Sequence, residues 1–273
     1  MRLQLESMFA PASSGEELVL YYQPKVSLAN QALTGAEALV RWRHPEFGLL
    51  PPTDFIPAAE RCDDIRPLTY AILDKALDQA ASWSAMGRPL PIAVNVSVRL
   101  LQDDDFAARV LMTLQESGVA AANLTLELTE TGIVESPERA AEVLGVLSAQ
   151  GVRIAIDDFG TGYTSFRYLR SFPVDEIKID RMFTEDLKRG NRDDSIVRSM
   201  IELGRGLGID VVAEGVESER TCEHLAALGC EHGQGFYFSP ALAPLEFERW
   251  RGQHAARVSR MENETNRLRA RAG

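Results

Sequence analysis

"VRIAIDDFGTGY", residues 152–163, is an apolar run that ends on two adjacent aspartates and a glycine-rich turn. Val152, Ile154 and Ile156 alternate with Arg153 and Ala155, the period of a buried β-strand. Asp157 and Asp158 stand where that strand runs out, and Gly160 and Gly162 free the backbone after them. Neighbouring carboxylates repel, and each prefers water or a cation. The pair has two readings: a capping pair before the next helix, since Asp is common at such ends, or part of a metal site. The rest of the chain has to decide.

Working outward, seven further runs have strand character: residues 18–28, 34–42, 91–97, 124–130, 174–180, 208–216 and 233–239. Helical spacing falls between most of them, over residues 67–86, 103–117, 137–149, 192–206 and 219–228. Strand–helix alternation of this length predicts an α/β fold, a parallel barrel. The first two runs are joined by "ANQALTG", too short for a helical crossover. They are expected to pair antiparallel, which makes the barrel irregular at its start. Residues 1–16 read as a linker or the stub of an upstream regulatory or sensor domain, 17–250 as the domain proper, and 251–273 as a polar tail, helical or frayed.

The chain has 273 residues, is 45% hydrophobic, and carries a net charge of −11, which argues against a nucleic acid polymer as partner. A small phosphorylated ligand held by metals stays compatible with that charge. Cys62, Cys222 and Cys230 form no CxxC pair, so the expectation is reduced thiols, a cytoplasmic location and no zinc cluster. No apolar run reaches the length of a membrane span, although a longer, membrane-anchored parent chain stays open.

Polar residues recur at or near the ends of the apolar runs: Glu37, Asn95, Glu127, Asp157, Asp158, Lys178, Glu214 and Gln234. Each alone has an ordinary explanation as a turn or a snorkelling residue. Together they are costly in apolar runs unless paired or ligated. In a parallel barrel the C-terminal strand ends converge on one mouth, where active sites of that fold lie. Carboxylates and a carboxamide gathered there are hard oxygen ligands, suited to Mg²⁺ or Mn²⁺. His44 and His232 are read as turn or surface residues, His224 and His254 as exposed, and Tyr237, Phe238, Trp83 and Trp250 as packing residues.

The motifs "EALVRW" (37–42), "NVS" (95–97), "ELTE" (127–130), "DDFGTGYTSF" (157–166), "KID" (178–180), "AEGVE" (213–217) and "GQGF" (233–236) follow one another in order. In this the chain resembles the EAL-domain family of cyclic-di-GMP phosphodiesterases over roughly residues 17–250. The resemblance implies a modified TIM (β/α)8 barrel with one antiparallel strand near its start. It implies hydrolysis of cyclic-di-GMP to linear pGpG by two-metal, in-line attack of water, with two Mg²⁺ or Mn²⁺ ions per site. A catalytically silent cyclic-di-GMP sensor is the alternative, but the metal ligands that degenerate members lose are all present here.

Residue by residue, Glu37, Asn95, Glu127 and Asp157 match the ligands of the first metal. Asp157 would bridge to a second, held also by Asp158 and assisted by Glu214. Lys178 matches the lysine that orients or activates water, and it joins Glu37 and Glu214 as the residues expected to carry the chemistry. Gln23, Arg41, Asp158, Glu217 and Gln234 match substrate-binding positions, with Arg41 meeting a phosphate. Glu130 matches the glutamate that anchors the "DFGTGYTSF" loop, and it is expected to point away from the metals and accept hydrogen bonds from that loop or from Thr164 or Ser165. Thr164, Phe166 and Met182 depart from the family pattern. The resemblance also implies a homodimer.

Overall fold

The computed structural model describes residues 17–61, 64–130, 137–162, 169 and 171–272. The Thr164, Ser165, Phe166 and Cys62 expectations, and the stub before Glu17, lie outside them. Leu18–Ser27 forms β1, whose burial alternates residue by residue as a strand with two unlike faces requires. Leu33–His44 forms β2, antiparallel to β1 in a register that sets Gln23 opposite Glu37. A three-residue strand β3 (Gly48–Leu50) folds back on β2, and helices α1 (Pro52–Arg61) and α2 (Ile65–Ala85) follow. Next come β4 (Ile92–Asn95), α3 (Phe106–Ser117), β5 (Leu124–Thr129), α4 (Pro137–Ala149), β6 (Arg153–Phe159) and β7 (Glu176–Ile179). The chain then runs through α5 (Arg181–Thr184), α6 (Arg192–Leu207), β8 (Asp210–Ala213), α7 (Glu219–Leu228), β9 (His232–Gly233) and α8 (Pro244–Ala272).

The strand order β1-β9-β8-β7-β6-β5-β4-β2 closes on itself through the β1–β2 pairing, with β3 as an outlying hairpin strand. Strands β2 and β4 to β9 run parallel in their ladder, whereas β1 is antiparallel to both its neighbours. This is the modified barrel with one antiparallel strand at its start. Short apolar strands such as Ile177 and Ile179, or Val211 and Val212, are buried, as strands covered on both faces must be. Helix ends follow their sequence: the Asn191 side chain accepts from Asp194 N and Ser218 from Thr221 N, and Gly208 and Gly229 close α6 and α7 in the left-handed conformation.

Several expectations need correction. The run at 233–239 is strand only at His232–Gly233, and residues 236–238 form a turn. Gly235 passes so close to Val216 that a side chain there would overlap Val216 N and O. Tyr237 N donates to Val216 O at 2.9 Å, so this segment bonds to the loop after β8 and leaves the ladder. α1 and β3 were not expected. The C-terminal helix begins at Pro244 and runs unbroken through position 250. His254 is buried, with Nε2 2.6 Å from Gln31 O, and His224 meets Asp194 Oδ1 at 2.7 Å with a side chain only 11% exposed; neither is the exposed residue expected. His44 has the turn role: its Nδ1 accepts from Glu46 N and Phe47 N.

Candidate active site

Glu37 comes from β2, Asn95 ends β4, Glu127 lies in β5, Asp157 and Asp158 precede Phe159, the last residue of β6, and Lys178 lies in β7. Glu214 follows the last residue of β8 and Gln234 the last of β9. The parallel register therefore delivers them to one end of the barrel. Lys178 stands at the centre, its side chain 1% exposed. Its Nζ lies 2.8 Å from Glu127 Oε2 and 2.8 Å from Glu214 Oε1, 3.2 Å from Asp157 Oδ1 and 3.3 Å from Glu37 Oε2. Burial alone would strip its proton, but the charges of Asp157, Glu127, Glu214 and Glu37 hold its pKa well above the ordinary lysine value.

One cation cannot neutralise four carboxylates, and their protonation follows the imbalance. Burial pushes the Glu37 carboxyl up, yet the Lys178 charge and hydrogen bonds from Gln234 and Asn95 bring it below the ordinary value. The Asn95 amide donates to Glu37 Oε1 at 2.6 Å, which leaves Asn95 Oδ1 as the atom it could offer a cation, and Gln234 Nε2 donates to Glu37 Oε2 at 2.6 Å. Glu127 is pushed well above its ordinary value by burial and by the Glu37 charge. Burial raises Glu214 to about 8 against the pull of Lys178, with the Asp157 and Glu37 charges adding to the rise. Burial and the Asp157 charge raise Asp158 to about 6, helped by a hydrogen bond with Asp180. Glu127 and Glu214, the two that hold protons at neutral pH, are buried among more negative charge than Lys178 balances.

Asp157, Asp158 and Glu214 offer oxygens that all lie within 4.8 Å of one another. An all-oxygen donor set of this size, short of positive charge, fits hard divalent cations. Asp158 takes up the left-handed backbone conformation at φ 54°, uncommon outside glycine, and its N–H donates to Asp157 Oδ1 at 3.0 Å. That turn folds the second carboxylate back beside the first.

A cavity of about 920 Å³ opens over the cluster. Its walls include Gln23, Glu37, Asn95, Glu127, Asp157, Asp158, Glu214, Glu217 and Gln234, with Lys178 buried beneath. Arg41 is not brought in: its guanidinium donates to Val40 O at 2.8 Å and lies 5.7 Å from the Tyr21 ring centroid. Gln23 is tied to Gln234, which donates to Gln23 Oε1 at 3.0 Å, while Gln23 Nε2 donates to Ser239 O at 3.1 Å. β5 stops at Thr129, one residue short of Glu130, whose Oε2 accepts from Gly160 N at 2.7 Å.

Sequence reasoning missed three residues. Asp180 was read only as the end of "KID", but its carboxylate meets Asp158 and also accepts from Met182 N at 2.7 Å. Phe236, 68% exposed, lies on the cavity wall as a bare aromatic face, and Glu60 of α1 lines the same cavity. The signal for Phe236 was available in "GQGF", and Glu60 ends the stretch "PTDFIPAAE" (52–60), but its place at the cavity depends on how α1 packs.

A model of the EAL domain family matches residues 6–241. The chain is 37% identical over 246 residues to cyclic di-GMP phosphodiesterase PA2567 of Pseudomonas aeruginosa, covering 90% of this chain and 42% of that protein. It is 36% identical over 256 residues to cyclic di-GMP phosphodiesterase PdeR of Escherichia coli, covering 94% and 39%. The chain thus spans about two-fifths of the length of these relatives. Among solved structures it is similar to the PaMucR phosphodiesterase in its c-di-GMP complex, with a TM-score of 0.85 and 38% identity over 89% of this chain and 99% of that one. The ordered motifs, the closed barrel with one antiparallel strand and these matches agree: the chain belongs to the EAL domain family.

Proposed function

We propose that this chain is a metal-dependent phosphodiesterase that hydrolyses cyclic-di-GMP to linear pGpG. The observation that carries the reading is the cluster itself: one buried lysine among four carboxylates, at the floor of a cavity large enough for a dinucleotide. Glu37, Asn95, Glu127 and Asp157 would hold one Mg²⁺ or Mn²⁺, and Asp157, Asp158 and Glu214 a second. Bound there, the cations would screen the phosphodiester charge and acidify a water for in-line attack.

The chain's own residues do the rest. Asn95 and Gln234 fix the Glu37 carboxylate with one hydrogen bond on each oxygen. Lys178 keeps the carboxylates together and sits where it can orient water. Gln23, Glu217 and Gln234 present polar groups to the ligand, and Phe236 offers a face on which a base can stack. Arg41 would swing from Val40 O to a phosphate. The same reading places the chain in the cytoplasm, as a homodimer and as part of a longer regulated protein; no helix among the described residues is long and apolar enough to cross a membrane.

Incubation with cyclic-di-GMP and Mg²⁺ or Mn²⁺, followed by chromatography, is expected to yield pGpG. Excess chelator should abolish turnover, and Ca²⁺, which prefers longer bonds and more ligands, should inhibit it. Glu37→Ala should stay folded and lose turnover by orders of magnitude. Hydrolysis in full chelator overturns the reading, and nucleotide binding without hydrolysis turns it into the silent-sensor reading.

A further inference from the structure

Thr184 closes α5 and is fully buried. Its hydroxyl reaches two carbonyls. One is Arg181 O at 3.1 Å, the ordinary back-bond of a threonine in a helical turn. The other is the carbonyl of Glu214, 30 residues further along and on a different strand end. Glu214 N donates to Ile179 O at 3.1 Å. Both backbone groups of Glu214 are therefore fastened to the short segment after Lys178, and its carboxylate meets Lys178 itself at 2.8 Å.

The contact leaves no slack. Gly215 takes a left-handed φ of 63°, and a side chain there would sit 2.6 Å from Arg181 Cβ and 3.1 Å from Thr184 Oγ1. The peptide between Glu214 and Gly215 is thus clamped between α5 and the loop after β8. Removing the hydroxyl would leave the Glu214 carbonyl short of a partner and its peptide plane free to rotate. The carboxylate would then drift from Asp157 and Asp158, whose oxygens it now approaches within 4.8 Å.

We propose that Thr184 is a positioning residue: its hydroxyl, through the Glu214 carbonyl, holds the Glu214 carboxylate where a divalent cation can be shared with Asp157 and Asp158. The proposal rests on the metal-dependent reading of the site. It concerns a residue that touches neither metal nor substrate, and loss of such outer partners typically weakens metal binding about 10–100-fold.

The test measures Mn²⁺ binding to the intact chain by electron paramagnetic resonance, beside the melting temperature, for Thr184→Val, Thr184→Ser and Thr113→Val. Thr113 is a matched control: it is buried between α2 and α3, with its hydroxyl 3.2 Å from Asp74 Oδ1 and 3.1 Å from Arg109 O. T184V is expected to bind Mn²⁺ at least about 10-fold more weakly. T184S should bind like the parent, and T113V should melt earlier with unchanged Mn²⁺ binding. Should T184V fold poorly, Thr184→Ala removes the same hydroxyl without keeping the branched side chain. Parent-like Mn²⁺ binding by a folded T184V or T184A overturns the proposal, as does a T184S as weak as T184V. A parent chain that binds Mn²⁺ but hydrolyses no cyclic-di-GMP overturns the phosphodiesterase reading and leaves this one standing. A parent that takes up no Mn²⁺ overturns both.

Discussion

Glu214 keeps its proton to about pH 8 in the metal-free fold, against an ordinary value of 4.5. A carboxyl raised by folding binds its proton more tightly folded than unfolded, so the fold is favoured while the group is protonated. Its contribution is fully present below pH 4.5 and is lost as pH rises to about 8. Asp158 acts the same way between 3.8 and about 6, and Glu127 shares the direction, whereas Glu37 is shifted the other way. The metal-free protein is therefore expected to melt at progressively lower temperature from pH 5 to 8, and Glu214→Gln should flatten that slope. Melting curves in chelator across this range check it; a slope unchanged in the variant would refute the assignment. Glu130 offers a second test at this scale. It holds Gly160 N, and Gly160, at φ 99°, has no room for a side chain beside Phe183 and Met200. Glu130→Ala should leave the barrel folded yet weaken metal binding and turnover together, because Asp158 sits two residues before the amide released. Lower stability with unchanged kinetics would reduce Glu130 to a local cap, worth about 0.5–2 kcal/mol.

Elements were legible where a local period was enough. β6 and β7 announce themselves as short apolar runs, and α4 and α7 as helical spacing, because burial on one face or both imprints directly on the sequence. The site was legible for the same reason: a charge in an apolar strand is an exception that needs a cause. α1 was not legible, since it carries Pro57 inside its span and a local reading breaks a helix there. The end of β9 was hidden too. Residues 233–239 look like a strand, and only the approach of Gly235 to Val216, remote in sequence, turns the chain away. Thr184 and Asp180 escaped because their importance lies in partners on other strands. The β9 turn yields its own prediction. Gly235→Ala would push against backbone, which cannot yield as a side chain can, and should cost about 1–3 kcal/mol or more. It should also displace Gln234 and so raise KM. Chemical denaturation and steady-state kinetics would detect both, and a variant equal to the parent in each would place Gly235 outside the geometry of the site.

One end of the barrel gathers more carboxyl groups than it has cations to balance them. The chain carries a net charge of −11, and four carboxylates at the mouth face the single buried Lys178. Divalent cations that bind only the folded arrangement must stabilise it by mass action: a free concentration of about 100 times Kd contributes about 2.7 kcal/mol per site. For a domain of this size each kcal/mol moves the melting temperature by about 2–4 °C, so saturating Mn²⁺ should raise it by roughly 5–10 °C per occupied site. Lys178 and the cations do related electrostatic work, and the variant Lys178→Met separates them. Without the ammonium, the metal-free variant keeps four clustered carboxyl groups with no cation among them and should melt below the parent. Mn²⁺ supplies the missing charge, so the rise on loading should be larger in the variant than in the parent, although turnover stays lost. Scanning calorimetry of both proteins in chelator and in Mn²⁺ decides the matter. A Lys178→Met protein with an equal or smaller Mn²⁺ response would mean that the carboxylates do not need the lysine's charge, and that Lys178 serves the reaction alone.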